Sequence, residues 1–259
     1  MKLFIKVRYL GTNYCGYQVQ PNAISIQQRL NQAALAVFGF DCDIVGCSRT
    51  DSGVHANEFC ATVAKKGMNA IETNVPLERI PLALSAHLPE DIGVFDARWV
   101  DDGFHARYDV VKKEYLYRIY NSPLRNPFEE GRSCRLPKKI DEEGFFNMQR
   151  AAALFCGTHD FSAYMAQGSK VASTVRTIDL SQVERDGDLI LYRVSADGFL
   201  YNMVRILTGT LVAVAEGKIS VEEIEAITAS KDRSRAGMTM PACGLYLNRV
   251  FYPFDLETK

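Results

Sequence analysis

The sequence predicts an α+β fold of two α/β halves, residues 1–105 and 106–259, that share one antiparallel sheet with helices packed on it. Three observations carry this expectation. Each half opens on alternating apolar residues: Leu3, Ile5, Val7 and Tyr9 in the first, Tyr115, Tyr117 and Ile119 in the second. That is the period of a half-buried strand. Each half then mixes further strands with helical stretches. At 259 residues the chain also exceeds one ordinary domain, which takes roughly 100–200, and neither a repeat nor a low-complexity linker interrupts it.

In the first half, residues 24–38 read as a helix opened by Ser25 with Gln28 three positions on, the pattern of a capping box. Residues 41–47 and 57–63 read as strands joined by a loop around Asp51, and the proline-bearing stretch 76–89 stays with this half. In the second half, 114–120 is a strand, 141–155 a helix and 189–195 a strand. Residues 199–215 read as one helix, with apolar side chains at Phe199, Leu200, Met203, Val204, Leu207, Leu211, Val214 and Ala215. Gly217 suits its C-cap, Ser220 with Glu223 starts another capped helix, and 244–252 is the last strand. A cleft between the halves is the expected place for a site.

Composition narrows the function classes. Apolar residues at 47% and charged ones at 24% match a soluble globular protein. Lys2, Lys6 and Arg8 interrupt the apolar run a signal peptide needs. The densest apolar block, 33–40, falls far short of the roughly 20 residues of a membrane helix. A cytoplasmic protein without a membrane partner is expected. The seven cysteines are scattered with no Cys-x-x-Cys, and Cys156 with His159 lacks a second pair to complete a zinc site, so buried thiols and no metal are expected.

The formal charge of −1 argues against a uniformly basic nucleic-acid binder, yet the charge is uneven. Residues 1–40 hold Lys2, Lys6, Arg8 and Arg29 and no acid, and residues 106–139 hold nine basic residues against four acids. Such stretches form either a footprint for a polyanion or two solvated faces.

The chemistry concentrates in Gly46–Ala56, GCSRTDSGVHA, where a lone carboxylate, Asp51, sits among glycines and small residues with Arg49 two positions ahead. It reads as a turn or as an exposed nucleophile on a scaffolded loop. Arg205 falls off the apolar face of its helix, on the side of Tyr201, Asn202 and Thr208. Tyr115 and Tyr117 suit core packing or base stacking. Asp41-Cys42-Asp43, with Asp101-Asp102 downstream, resembles the nucleophile motif of haloacid-dehalogenase-like phosphatases. That motif belongs at the end of a buried parallel strand, whereas here a capped helix precedes it, so a turn is the better account.

Taken together, the motifs resemble those of the tRNA pseudouridine synthase A family. The loop Gly46-Cys-Ser-Arg49-Thr-Asp51-Ser-Gly53-Val-His55-Ala is similar to its signature, and Tyr9-Leu-Gly11-Thr-Asn-Tyr14-Cys-Gly16-Tyr-Gln18 to its opening segment. Phe104-His-Ala-Arg107, the stretch from Glu114 to Asn121, Phe199-Leu-Tyr-Asn-Met203-Val-Arg205 and Pro241-Ala-Cys-Gly244-Leu245-Tyr-Leu247 follow in the family's order. Leu10, Tyr17, Ser48 and Ser52 depart from the usual Asp, Trp, Gly and Ala, and none of them touches the carboxylate.

The resemblance implies uridine-to-pseudouridine isomerisation in the anticodon stem-loop of tRNA, at positions 38–40, by a homodimer that needs no cofactor and no metal. It also implies two ferredoxin/RRM-like halves forming a continuous antiparallel sheet around a basic central cleft. By position, Asp51 would be the nucleophile or base, and Arg205 would pair with it and keep it ionised. Tyr115 would stack on the uracil and take part in the final proton removal. Arg49 would fill the gap left by the extruded base, Leu245 would line the pocket, and Arg107 would contact the substrate. The alternative is a non-catalytic RNA-binding or RNA-folding protein on the same scaffold, although pure binding has no use for an anionic loop facing phosphates.

Overall fold

The structure is a computed structural model that describes residues 1–168 and 171–256. Among these, the strands in chain order are β1 (Lys2–Tyr9), β2 (Cys42–Gly46), β3 (His55–Lys65), β4 (Ile92–Val100), β5 (Lys112–Tyr120), β6 (Cys134–Arg135), β7 (Gly157–Asp160), β8 (Val175–Asp186), β9 (Leu189–Ala196) and β10 (Leu245–Phe251). The α-helices are α1 (Ile26–Phe38), α2 (Ile80–Ser85), α3 (Glu142–Ala153), α4 (Met203–Ala215), α5 (Glu223–Ser230) and α6 (Pro253–Leu256). The fold is mixed α/β with mostly antiparallel strand pairing.

Two compact units result. The first is Met1–Val111 together with the chain from Tyr246 onward, and the second is Lys112–Leu245. The division thus falls after Val111 rather than after residue 105, and the last strand, expected in the second half, lies almost wholly in the first unit.

In the first unit β1 is flanked by antiparallel β4 and β3. The other edge of β3 is shared. β2 pairs along its far end, from Cys42↔Lys65 to Gly46↔Ala61. β10 pairs in parallel with its beginning, Tyr246↔His55 and Leu247↔Ala56. Both faces of β1 are covered, with Leu3, Phe4, Ile5 and Val7 at most 1% exposed. The Phe4 ring meets Tyr252 edge-on at 5.3 Å, and the Tyr252 hydroxyl donates to the Ala106 carbonyl at 2.6 Å, pinning the returning chain. The expected helix start forms: Ser25 Oγ accepts from the Gln28 N–H at 3.2 Å and α1 follows at once.

In the second unit the antiparallel order is β5-β9-β8-β7, with β6 parallel to β5. α4 is apolar nearly all round because it is buried nearly all round, and Thr208, expected on its polar side, is fully buried. The expected helix over 199–215 begins only at Met203, because Asn202 takes left-handed backbone (φ 58°) and turns the chain. At its other end Lys218 N–H donates to Ala213 O and Gly217 N–H to Val214 O, both near 3 Å, the paired bonds of a Schellman motif. Of the Ser220 capping box only one half forms: Glu223 Oε2 accepts from the Ser220 N–H at 2.8 Å, and α5 starts at Glu223.

Two smaller expectations change. Cys15 and Cys156 are exposed rather than buried, and His159 Nε2 hydrogen-bonds the Cys156 carbonyl oxygen at 2.9 Å. The aspartates at 41 and 43 open an antiparallel strand: Asp43 Oδ2 accepts from the Gly67 N–H at 2.9 Å and Asp41 lies 3.9 Å from Lys66 Nζ. Asp43 thus lies within a strand rather than in the expected turn, and that strand is antiparallel, unlike the buried parallel strand of the phosphatase motif. Among the described residues no helix is long and apolar enough to cross a membrane.

Candidate active site

Asp51 lies in the loop that spans the shared edge of β3, leaving β2 at Gly46 and joining β3 at His55. Cys47 N–H extends the ladder by donating to Cys60 O at 2.8 Å. Beyond it the loop has no strand partner, so its polar groups need others. The segment 9–17 supplies them. Tyr17 N–H donates to Thr50 O at 3.2 Å, Ser52 Oγ to Tyr14 O at 3.2 Å, and Tyr9 Oη pairs with Thr50 Oγ1 at 2.9 Å. Gly11 N–H donates to His55 Nδ1 at 2.9 Å, and Val54 N–H closes the turn on Asp51 O at 3.1 Å.

Such close backbone approach explains two glycines of the opening motif. A Cβ on Gly11 would lie 2.0 Å from Val54 O, and one on Gly16, whose φ is +81°, would lie 2.4 Å from Thr50 O. The opening motif and the Asp51 loop are one construction. Asp51 is half-buried within it, and Arg49 is exposed.

Asp91, which no sequence motif singles out, braces the same segment. Its carboxylate accepts from Tyr14 Oη at 2.5 Å and Asn13 Nδ2 at 3.2 Å, and its carbonyl accepts from Leu10 N–H at 2.9 Å. No local pattern could announce it, because its partners are some eighty positions away in the chain.

Arg107 also falls in the first unit, on a turn held by His105. The His105 Nδ1 accepts from Arg107 N–H at 3.1 Å and Tyr108 N–H at 3.3 Å, which accounts for the histidine in Phe-His-Ala-Arg. Arg49 and Arg107 line one groove with Tyr17, Gln27, Gly46 and Ser48.

The second unit holds Tyr115, Arg205 and Leu245. Tyr115 is 9% exposed and meets Phe199 edge-on at 4.9 Å. Arg205, in the first turn of α4, donates from Nε to Met240 O at 2.6 Å and from Nη1 to Asn202 Oδ1 at 2.8 Å. Tyr117 Oη donates to Pro241 O at 2.6 Å, and burial pushes its pKa well above the usual tyrosine value. Leu245, nearly buried, follows directly. Three motifs that lie far apart in the chain therefore meet here: 114–121, 199–205 and 240–245. Asn121 has a structural task, with Nδ2 donating to Leu136 O and Lys138 O and Oδ1 accepting from Ile140 N–H.

The basic stretches are less free than their composition suggests. Lys6 meets Glu58 at 3.3 Å, Lys112 meets Asp179 at 2.6 Å, Arg118 meets Glu129 at 3.0 Å and Lys139 meets Asp188 at 2.7 Å.

Comparison with known proteins gives the family. A family model described as tRNA pseudouridine synthase matches residues 151–253. The tRNA pseudouridine synthase A of Thermoanaerobacter sp. (strain X514) is 43% identical over 252 residues, covering 96% of this chain and 99% of the relative. That of Acetivibrio thermocellus is 44% identical over 247 residues, covering 95% and 97%, and that of Bacillus pumilus is 40% identical over 256, covering 97% and 99%. The class is that of the pseudouridine synthases, which are isomerases. Within it, the chain belongs to the tRNA pseudouridine synthase A family.

Proposed function

We propose that this protein converts uridine to pseudouridine in the anticodon stem-loop of tRNA, at positions 38–40, with Asp51 as the nucleophile or base. The observation that carries the reading is the cradle: two glycines and three tyrosines of the opening segment, Tyr9, Tyr14 and Tyr17, are spent on holding the strandless loop that carries one half-buried aspartate. A purely structural turn needs no such support.

The net reaction breaks the N1–C1′ bond, forms C5–C1′, moves one proton from C5 to solvent and returns one to N1. Every other atom is conserved, so the change is redox-neutral. A carboxylate suits it because it can add and leave again, while the uracil is both leaving group and returning carbon nucleophile. Tyr115 offers a ring for stacking and a hydroxyl for removal of the C5 proton. Arg205 supplies positive charge that favours an ionised carboxylate, and Leu245 an apolar wall. Arg49 and Arg107 contact the RNA. The working form is a cytoplasmic homodimer that binds the anticodon arm.

The test uses unmodified tRNA transcripts carrying a single uridine at position 38, 39 or 40, assayed in EDTA. Pseudouridine at those positions supports the reading; its absence from all three refutes it.

A further inference from the structure

Apart from glycines, two of the described residues take left-handed backbone, Asn202 (φ 58°) and Lys231 (φ 56°). Lys231 closes α5, and a helix C-terminus is where that conformation is ordinary. Asn202 opens α4, where the residue ahead of the first turn normally takes extended backbone and its side chain caps a helix N–H. Asn202 does neither. Its side chain caps no N–H of α4, and its Oδ1 accepts from Arg205 Nη1 at 2.8 Å instead. A residue in sparsely populated backbone persists only where its surroundings hold it there, and such positions gather at functional sites. Here the local cost of a strained turn and a forgone cap goes with one contact, the bond to Arg205.

The second acceptor of the same guanidinium is fixed as firmly. Arg205 Nε donates to Met240 O at 2.6 Å, and Met240 N–H donates back to Arg205 O at 3.2 Å. The segment carrying Met240 lies flush on α4: a Cβ on Gly209 would stand 1.9 Å from Met238 O, and one on Gly237 2.3 Å from Thr210 N. Gly237 N–H donates to Thr210 Oγ1 at 2.9 Å, and Tyr117 Oη holds the next carbonyl, Pro241 O. A guanidinium is planar and its N–H donors form a rigid fork. Bonds from two of its nitrogens to two fixed acceptors therefore set the direction of all its donors. The titratable groups beside it in this unit, Tyr117 and Cys243, are both pushed up by burial and stay neutral, so they leave its charge intact. We propose that Asn202 is a positioning residue, which orients the Arg205 guanidinium for the reaction. The assignment rests on the function proposed above, in which Arg205 supplies charge that keeps Asp51 ionised.

The experiment compares wild type with Asn202→Gly, because glycine takes left-handed backbone without strain and lacks only the carboxamide. The thermal midpoint should stay at or above that of wild type and KM for tRNA close to it. Release of tritium from C5-labelled tRNA should show kcat lower by about tenfold, from a reacting group held less accurately. The acid limb of kcat against pH should move up by about half a pH unit or more, because a guanidinium no longer aimed at Asp51 favours its ionised form less. A role confined to starting the helix would leave that limb in place. An acid limb unmoved in Asn202→Gly overturns the inference, whatever kcat does. Arg205→Lys, which keeps the charge and loses the fork, should move the same limb. Movement in Arg205→Lys without movement in Asn202→Gly defeats this inference alone. Movement in Asn202→Gly without movement in Arg205→Lys also overturns it, because Asn202 then acts through another group. A wild type that releases no tritium defeats the function proposed above, and this inference with it.

Discussion

Replacing Gly16 by alanine asks whether the cradle sets catalysis. The added Cβ would enter a left-handed conformation, at φ +81°, which costs an L-residue about 1–2 kcal/mol. It would also stand 2.4 Å from Thr50 O. Relief to ordinary van der Waals contact needs a shift of about 1 Å, applied one residue before Asp51, and a misplacement of that size costs about 100-fold in rate. Gly16→Ala should therefore lose about 100-fold in kcat, with tRNA affinity within a few-fold of wild type. Release of tritium from C5-labelled tRNA reads the rate, because forming C5–C1′ expels the C5 hydrogen. Gly39→Ala is the control: φ is +77° and nothing lies within 4 Å of its Cβ. It should bear the same strain with kcat unchanged. Wild-type kcat in Gly16→Ala, or an equal loss in Gly39→Ala, would refute the reasoning.

Further expectations concern single side chains. Tyr115→Phe keeps the ring and loses the hydroxyl, so kcat should fall while thermal stability and affinity hold; full turnover would restrict Tyr115 to stacking. Tyr117→Phe should do the reverse, leaving Pro241 O without its donor and costing about 1–3 kcal/mol in denaturant unfolding, with kcat near wild type. Burial alone would raise the Asp160 carboxyl, but hydrogen bonds from Lys231 at 2.8 Å, Ser162 and Thr174 outweigh it and hold it far below the usual range. A depressed carboxylate stabilises the fold above its unfolded value of about 3.9 and ceases to as pH falls below it. Asp160→Asn should thus be less stable than wild type at pH 7, by a margin that narrows as pH drops below about 4; a margin independent of pH would refute the assignment.

The sequence shows its local physics and hides what depends on distant partners. The Ser25 cap, the alternation of Tyr115, Tyr117 and Ile119 and the turn at Gly217 involve residues within a few positions of each other, and all three form as expected. The start of α4 does not, because apolar spacing at Phe199 and Leu200 carries no information about the left-handed Asn202. Phe199 packs on Tyr115 instead. β8 and β4 escape the sequence pattern for a related reason. A register shift between Ile178 and Leu180 breaks the two-residue period of β8, and another opposite β4 falls between Lys6 and Val7. The return of the last strand to β3 rests on pairing between positions 246 and 55, which no window of sequence contains. At the site, Asp51 and its glycines are legible as an oddity of composition, whereas Asp91 is not legible at all. The engaged lysines at 6, 112 and 139 show that a count of charges overstates the cations free to meet a phosphate.

The central claim is that the Asp51 carboxylate performs the isomerisation. Asp51→Asn keeps the size and nearly the shape of the side chain and removes only its ability to act as an anionic nucleophile or base. Assayed beside wild type for tritium release and for tRNA binding, it should bind tRNA at least as tightly, since a negative charge beside phosphates is gone, and release no tritium above background. Tritium release at the wild-type rate would contradict the account.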